Sequence, residues 1–159
     1  MSQKNTLQEQ INFIISIYSD GQIQDALKRL KLLTQKYPNE AILFNIMGAC
    51  FTDMGKLEKA IGSYEIALEI NPNYAEAHFN LGVVYQDLDQ KESAVGSFKK
   101  AIEITPNYPS AHNNLGNTLK DNSQLNEAIK KLENEPSISN SLISKNKKIN
   151  LNIRYLLHT

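Results

Sequence analysis

The sequence predicts an all-α fold, a solenoid built from antiparallel helix pairs. Three observations lead to this prediction: a period of 34 residues, apolar residues at helical spacing within each period, and turn-forming residues at fixed places between the helices. Residues 41–74 align with residues 75–108 without a gap, and identical residues recur throughout the two segments. One helix pair cannot bury its apolar face alone, so such a period indicates stacked pairs that share a core.

The same frame extends in both directions and defines four units. The predicted units span about residues 7–40, 41–74, 75–108 and 109–135. The outer two are less regular, as expected of end units that face solvent instead of a neighbour. In the first unit, for example, Ile14 stands where the second and third units have glycine.

Each unit is expected to contain two helices. In the first helix of the second unit, Phe44, Met47 and Phe51 fall at i, i+3 and i+7, which places them on one helix face. Gly55 is predicted to form the turn, because glycine adopts the left-handed conformation at little cost. Pro72 follows the second helix, where a proline cannot continue it.

The first helices carry glycines where the second helices carry large aromatic residues. Gly48 and Gly82, in the first helices of their units, are expected to leave room for the paired helix to approach closely. Tyr64 and Phe98, in the second helices, are expected to fill the space between adjacent hairpins.

The pattern of the third unit resembles the tetratricopeptide repeat. The residues that carry this resemblance are Leu81, Gly82, Tyr85, Ala94, Phe98, Ala101 and Pro106. The resemblance extends over about residues 7–132 and implies a right-handed superhelix whose first helices line the concave wall. It also implies a protein-binding scaffold.

The chain departs from the family pattern at both ends and at one recurring position. The tryptophan usual at the fourth position of a unit is replaced by Gln10, Phe44, His78 and His112. The fourth unit is expected to break off where Glu135-Pro136 interrupts its second helix.

Asparagines recur at the positions that face the groove in this family. They are called the asparagine ladder here and comprise Asn12, Asn45, Asn80, Asn113, Asn114 and Asn117. A side-chain amide has a donor and an acceptor, so it matches the N–H and C=O pair of an extended peptide. The ladder is similar to the one in the repeat domain of O-GlcNAc transferase, which holds protein substrates in this way.

Carboxylates recur beside the ladder, where Asp53, Asp87 and Asp121 are predicted to add negative charge to the groove edge. The predicted partner-binding residues are therefore the ladder with Asp87 and Asp121. The alternative is that asparagines and aspartates are ordinary residues of a solvated helix face.

Members of the family that bind chaperone tails hold a carboxylate with lysine and arginine at the second, fifth and sixth positions of a unit. Here the second positions hold Gln8, Ile42, Glu76 and Ser110, and the fifth hold Ile11, Asn45, Phe79 and Asn113. None of these is cationic. A heat-shock chaperone tail is therefore not expected as the partner.

The charge balance and the cysteine usage bound the function classes. Lysine plus arginine and aspartate plus glutamate both number 17, so the cation excess that phosphate binding needs is missing and no nucleic-acid partner is expected. No apolar stretch reaches the ~20 residues of a membrane span, so no membrane partner is expected either. The single cysteine, Cys50, fits a reducing compartment, and a cytoplasmic location is predicted.

No catalytic or metal site is predicted, and no cofactor motif occurs in the sequence. His78 and His112 occupy the same position in consecutive units, but no third ligand recurs near them, so each is expected to replace the packing tryptophan. Cys50 lies among apolar residues and is expected to be an inert buried thiol. The chain is therefore predicted not to be an enzyme.

The composition changes after Glu135, and the repeat is lost in residues 136–159. Ile149, Ile153 and Leu156 fall at i, i+4 and i+7, which favours a helix that caps the last hairpin. The alternatives are a disordered tail and a tail that packs on another molecule. If that molecule is a second copy of the chain, the protein is a homo-oligomer.

A second functional alternative is that this chain is a fragment. In that case it is the N-terminal targeting repeat region of a larger bacterial enzyme, of the glycosyl- or sulfotransferase type implied by the resemblance, whose catalytic domain is absent.

Overall fold

The computed structural model of the chain describes residues 6–133, and all regular structure within them is helical. The seven helices of this part are α1 (Leu7–Ser19), α2 (Ile23–Lys36), α3 (Ala41–Asp53), α4 (Leu57–Ile70), α5 (Ala75–Asp87), α6 (Lys91–Ile104) and α7 (Pro109–Glu133). Consecutive helices contact each other from α1 through α6. The predicted all-α helical repeat solenoid is confirmed. By compactness the chain divides after Thr118, within α7.

Helix α1 begins at a capping box. At the start of α1, the Thr6 hydroxyl accepts a hydrogen bond from the Glu9 backbone N–H, and the Glu9 carboxylate accepts one from the Thr6 N–H. This capping box satisfies two backbone donors that the first helical turn leaves without partners.

The predicted tail at residues 136–159 lies outside the described residues.

The turn inside each of the first three units contains one residue with a positive φ. These residues are Gly21, Gly55 and Asp89, with φ of 78°, 67° and 56°, and they recur at 34-residue spacing. Glycine has no Cβ to clash in this conformation, and aspartate is one of the few other residues that adopt it readily. The predicted turn at Gly55 is confirmed.

An aromatic ring lies directly on a glycine in the second and third hairpins. A Cβ added to Gly48 would lie 2.5 Å from Tyr64 Cε1, and one added to Gly82 would lie 2.6 Å from Phe98 Cε1. Both rings are at most 2% exposed. The predicted close approach at these glycines is therefore confirmed, and it is made by the ring of the paired helix.

The Tyr64 ring also reaches the next hairpin. Tyr64 packs with Leu81 and Val84 of α5 in one apolar cluster, as predicted for a residue between hairpins. In the first unit, Ile14 takes the glycine position and is itself buried, at 1% exposure. Its cluster includes Leu30 of α2 and extends to α3.

The two histidines each make the same hydrogen bond to a loop carbonyl. His78 Nε2 lies 3.0 Å from the Pro72 carbonyl oxygen, and His112 Nε2 lies 2.9 Å from that of Pro106. A carbonyl oxygen only accepts, so each imidazole donates through Nε2. The His112 side chain is exposed. The histidines thus tie each first helix to the preceding loop, a contact that the sequence did not predict.

The fourth unit also differs from the predicted helix pair. Its backbone continues as one helix from Pro109 to Glu133, without a turn at Ser123, the position equivalent to Gly55 and Asp89. Serine disfavours a positive φ, and its hydroxyl donates to the Lys120 carbonyl oxygen at 2.8 Å inside the helix. The residue that makes the turn in the other units is therefore missing here. The predicted break at Glu135-Pro136 lies beyond the described residues.

Gly82→Ala tests the contact between ring and glycine. The added methyl group must displace the buried Phe98 ring, so we expect the free energy of unfolding to fall by about 1–2 kcal/mol after the gain in helix propensity is subtracted. Gly96→Ala is the matched control, because nothing lies within 4 Å of a Cβ added there. It should raise stability by about 0.5–1 kcal/mol. Urea denaturation of both variants measures the difference, and equal stabilities would contradict the packing described.

Candidate partner-binding groove

The first helices of the first three units form a continuous surface. α1 contacts α3 and α3 contacts α5, in addition to the contacts between successive helices. We call this surface the first-helix wall and define it by Asn12, Ile15, Tyr18, Ile42, Asn45, Ile46, Ala49, Asp53, Glu76, Asn80, Gln86 and Asp87. The residues predicted to bind a partner in the first three units all belong to it.

A cavity of about 230 Å³ opens on the first-helix wall. Its apolar lining consists of Ile15, Ile42, Ile46 and Ala49, and its polar lining consists of Tyr18, Asn45, Tyr74 and Glu76. These residues come from α1, from α3 and from the start of α5. Three repeat units therefore contribute to one concave site.

Asn45 lies at the centre of a polar network beside this cavity. Its side chain is only 4% exposed. Asn45 Nδ2 lies 3.4 Å from the Tyr74 hydroxyl and 3.3 Å from Glu76 Oε1, and Asn45 Oδ1 accepts a hydrogen bond of 3.1 Å from Asn80 Nδ2. A buried amide needs such partners, since leaving it unsatisfied costs about 1–3 kcal/mol. The side chain that sequence reasoning placed in the groove is thus already bonded within the protein.

Side-chain hydrogen bonds also join the other consecutive units. The Tyr18 hydroxyl of the first unit donates to Asp53 Oδ2 of the second at 2.6 Å. Gln86 Nε2 of the third unit donates to the hydroxyl of Thr118, which is 2% exposed, at 2.8 Å. Sequence reasoning did not identify Tyr18, Gln86 or Thr118, because a single unit gives no signal for a bond that spans about one repeat.

The remaining predicted residues lie nearer to solvent. Asn12, Asn113, Asn117 and Asp87 are exposed, whereas Asn80 and Asn114 are half-buried. Asn12 Oδ1 accepts a hydrogen bond from Gln8 Nε2 at 2.9 Å. Asp121 lies on α7, but its side chain lies outside what the structure describes. The structure therefore brings Asn45 and Asn80 into direct contact and shows no contact of this kind among the other members of the ladder that it describes.

The tyrosines of the cavity are held in the neutral form. Burial raises the pKa of Tyr18, and its hydrogen bond to the Asp53 carboxylate raises it further. Burial also raises the pKa of Tyr74, with the nearby Glu76 carboxylate acting in the same direction. Both hydroxyls therefore stay protonated at neutral pH and remain able to donate a hydrogen bond.

The charge of the first-helix wall is negative. Asp53, Glu76 and Asp87 are all exposed, and no lysine or arginine belongs to the wall or lines the cavity. Within the described residues the ion pairs are Lys91 with Asp89 and Lys100 with Glu103, so these three carboxylates have no cationic partner there.

A larger cavity, of about 300 Å³, lies elsewhere on the first hairpin. It is lined by both α1 and α2, with Phe13 and Leu32 among its exposed apolar residues. The Arg29 guanidinium covers the Phe13 ring at 4.8 Å from the ring centre. This cavity involves one hairpin only and none of the predicted binding residues.

The described residues hold no group of three or more histidine, cysteine, aspartate or glutamate side chains that could bind a metal ion. In the same part of the chain, the helices are too short or too polar to cross a membrane.

Asn45→Ala tests whether the amide network stabilises the wall. The change removes the partner of Asn80 and leaves a buried gap, so we expect the free energy of unfolding to fall by about 1–3 kcal/mol. Asn113→Ala removes an exposed asparagine instead and should change stability by no more than about 0.5 kcal/mol. Urea denaturation followed by circular dichroism provides the comparison. A harmless Asn45→Ala would show that the network contributes nothing.

Cys50 offers a test of burial in the core that the first and second units share. The thiol has no exposed surface, and burial, with the Asp53 carboxylate second, raises its pKa to about 11. Since the thiolate is the reactive form, we expect Ellman's reagent at pH 8 to label the folded protein far more slowly than the protein in urea. Equal labelling rates would contradict the buried position.

Comparison with known proteins places this geometry in context. Models of the tetratricopeptide repeat match residues 75–108 and 97–130, and a TPR repeat model matches residues 48–89. No curated protein gave a significant match by sequence.

Solved structures of similar fold include the crystal structure of MamA, which is 23% identical with a TM-score of 0.70 over 81% of this chain and 75% of that one. The Sgt2 TPR domain from Aspergillus fumigatus is 20% identical, with a TM-score of 0.72 over 79% of this chain and 86% of that domain. The first TPR of Spaghetti (RPAP3), bound to the HSP90 peptide SRMEEVD, is 18% identical, with a TM-score of 0.69 over 72% of this chain and 90% of that one.

These structures share the helix-pair stacking described above, and at such identities the likeness concerns the fold alone. The family matches together span residues 48–130, more than half of the chain. Since the 34-residue period, the packing of rings on glycines and these matches agree, the chain is a tetratricopeptide-repeat protein.

Proposed function

We propose that this chain is a protein–protein interaction module that binds an extended segment of a partner along the first-helix wall. The observation that carries the proposal is the cavity of about 230 Å³, which three units line together. A concave, largely apolar site with a few polar groups is the usual form of a binding site. A site spread over several repeats suits a long, extended ligand.

Asn80 supplies the backbone-binding chemistry in this proposal. Its Nδ2 donates one hydrogen bond to Asn45, which leaves a second N–H, and its Oδ1 has no partner among the described residues. Asn114 lies 34 residues further along, at the equivalent position of the next unit. Each amide can therefore accept from a peptide N–H and donate to a peptide C=O.

Asn45 acts through Asn80 rather than on the partner. It is buried and fully engaged with Tyr74, Glu76 and Asn80, so it fixes the orientation of the Asn80 amide. Fixing a binding group in advance reduces the conformational entropy lost when a ligand binds. In the proposed ladder Asn45 is thus a positioning residue, and the direct contacts come from Asn80, Asn114 and the exposed asparagines.

One solved structure of similar fold contains a bound acidic peptide. The first TPR of Spaghetti (RPAP3) is bound to the peptide SRMEEVD, which carries three carboxylate side chains. The first-helix wall of this chain instead carries Asp53, Glu76 and Asp87 and has no lysine or arginine. Like charges repel across an interface, so we expect a partner of a different kind from an acidic chaperone tail.

The proposal is tested by finding a partner and then removing amides. We would capture proteins on the immobilised chain from an extract of the cells that make it and locate the bound segment with overlapping synthetic peptides. Asn114→Ala combined with Asn80→Ala should weaken that peptide by about 10-fold, because each lost neutral hydrogen bond contributes about 0.5–1.5 kcal/mol. Fluorescence anisotropy gives the affinities.

Asn39→Ala is the matched control, since Asn39 is an exposed asparagine in the loop between α2 and α3. It should bind the peptide as the unchanged protein does. Melting curves of all variants separate a loss of binding from a loss of folding. The ladder has no part in binding if the double variant is folded and binds with unchanged affinity.

A further inference from the structure

We infer that the cavity on the first-helix wall takes one aliphatic or aromatic side chain of an extended peptide that carries lysine or arginine two residues away on each side. This inference rests on the proposed function and specifies the chemistry of the segment that the wall binds. It depends on three features: the size of the cavity, its apolar lining and the carboxylates beside it.

The cavity has the size and lining for a single large apolar side chain. Its volume is about 230 Å³, and an apolar cavity of about 150 Å³ already holds benzene. Ile42, Ile46 and Ala49 supply one side of the lining, and Ile15 of α1 supplies another. Ile15 is 40% exposed, which leaves an apolar surface that a partner side chain can cover.

Two carboxylates are connected to the lining of this cavity. Glu76 belongs to the lining on the α5 side. Asp53 is bonded to the Tyr18 hydroxyl, and Tyr18 belongs to the lining on the α1 side. An apolar side chain in the cavity therefore has one carboxylate in the lining beside it and a second that is bonded to a lining residue.

Both carboxylates keep oxygen atoms available for a partner. Asp53 Oδ2 accepts from Tyr18 and Glu76 Oε1 accepts from Asn45, while the second oxygen of each has no partner among the described residues. Two exposed carboxylates without a cation of their own repel an acidic segment and attract a basic one.

The spacing of the cations follows from the geometry of an extended chain. Successive side chains of an extended peptide point to opposite faces, and each residue advances about 3.3 Å. The residues two before and two after the buried side chain therefore point to the same face, about 7 Å away on each side. Lysine and arginine at those positions are directed toward the two carboxylates.

The test uses three fluorescein-labelled peptides of nine residues with a serine and glycine background. The first has leucine at its centre and lysine two residues away on each side, the second replaces both lysines with glutamate, and the third replaces the leucine with serine. We expect the first peptide to bind at least about 10-fold more tightly than the third, the gain for burying a leucine side chain. Its affinity should exceed that of the second peptide by a similar factor, because the carboxylates of the wall attract lysine and repel glutamate.

Variants of the protein assign the preference to these residues. Glu76→Gln keeps an acceptor for Asn45 but removes the charge, so it should weaken the lysine peptide by about 2- to 5-fold. Glu69→Gln, at an exposed carboxylate on α4 that is outside the wall, should leave its affinity unchanged. Ala49→Leu fills the cavity and should abolish the advantage of leucine over serine. If Ala49→Leu does not fold, Ile15→Ser provides the same comparison at an exposed position.

The outcomes separate this inference from the proposed function. Equal binding of the lysine and glutamate peptides would overturn the inference, and so would equal binding of the leucine and serine peptides. Failure of all three peptides, while a captured partner segment without this pattern binds the wall, would also overturn it and leave the proposed function intact. If no partner segment binds the wall, the proposed function fails as well.

Discussion

An aromatic ring that lies on a glycine of the paired helix is the contact on which the regular part of this solenoid depends. Tyr64 on Gly48 and Phe98 on Gly82 allow the helices of a pair to approach to a distance that no side chain at these glycines would permit. The Tyr64 ring also packs on Leu81 and Val84 of the next unit. One side chain therefore takes part both in the packing within a helix pair and in the packing between units. Protein interiors are close-packed, so a change of shape at one contact moves its neighbours. The spacing of the first helices therefore depends on how the Tyr64 ring packs.

The first-helix wall is a consequence of that spacing. Hydrogen bonds between consecutive units join Tyr18 to Asp53 and Asn80 to Asn45, and they require first helices at a constant separation. The bond at Asn45 is the most demanding, because the amide is buried and has partners on two neighbouring elements. Polar networks of this kind specify one arrangement of the units, since any shift leaves buried groups unpaired.

The sequence was sufficient for the parts of the structure that repeat. The recurrence of Gly48 and Gly82 predicted the close approach of the paired helices, and Gly55 predicted a turn, because each depends on one residue type at one position. It was not sufficient for the hydrogen bonds between units. Nothing in the second unit alone indicates that the amide of Asn45 is buried against Tyr74 and Glu76. The fourth unit shows the same limit, since Ser123 fits the period but does not favour the positive φ that the turn needs.

The difference between Asn45 and Asn80 shows how one surface can serve both stability and recognition. A side-chain amide has more hydrogen-bonding groups than one internal contact uses. Asn45 uses its groups within the protein, whereas Asn80 uses one N–H to contact Asn45 and keeps the rest at a half-buried position beside the cavity. In the third unit, the position equivalent to Asn45 is occupied by Phe79. Its ring centre lies 5.1 Å from that of Tyr108, and a phenyl ring has no amide to make polar bonds. The polar network therefore joins the second unit to the third, and it lies beside the apolar cavity, with the Asn80 amide and the Glu76 carboxylate next to it.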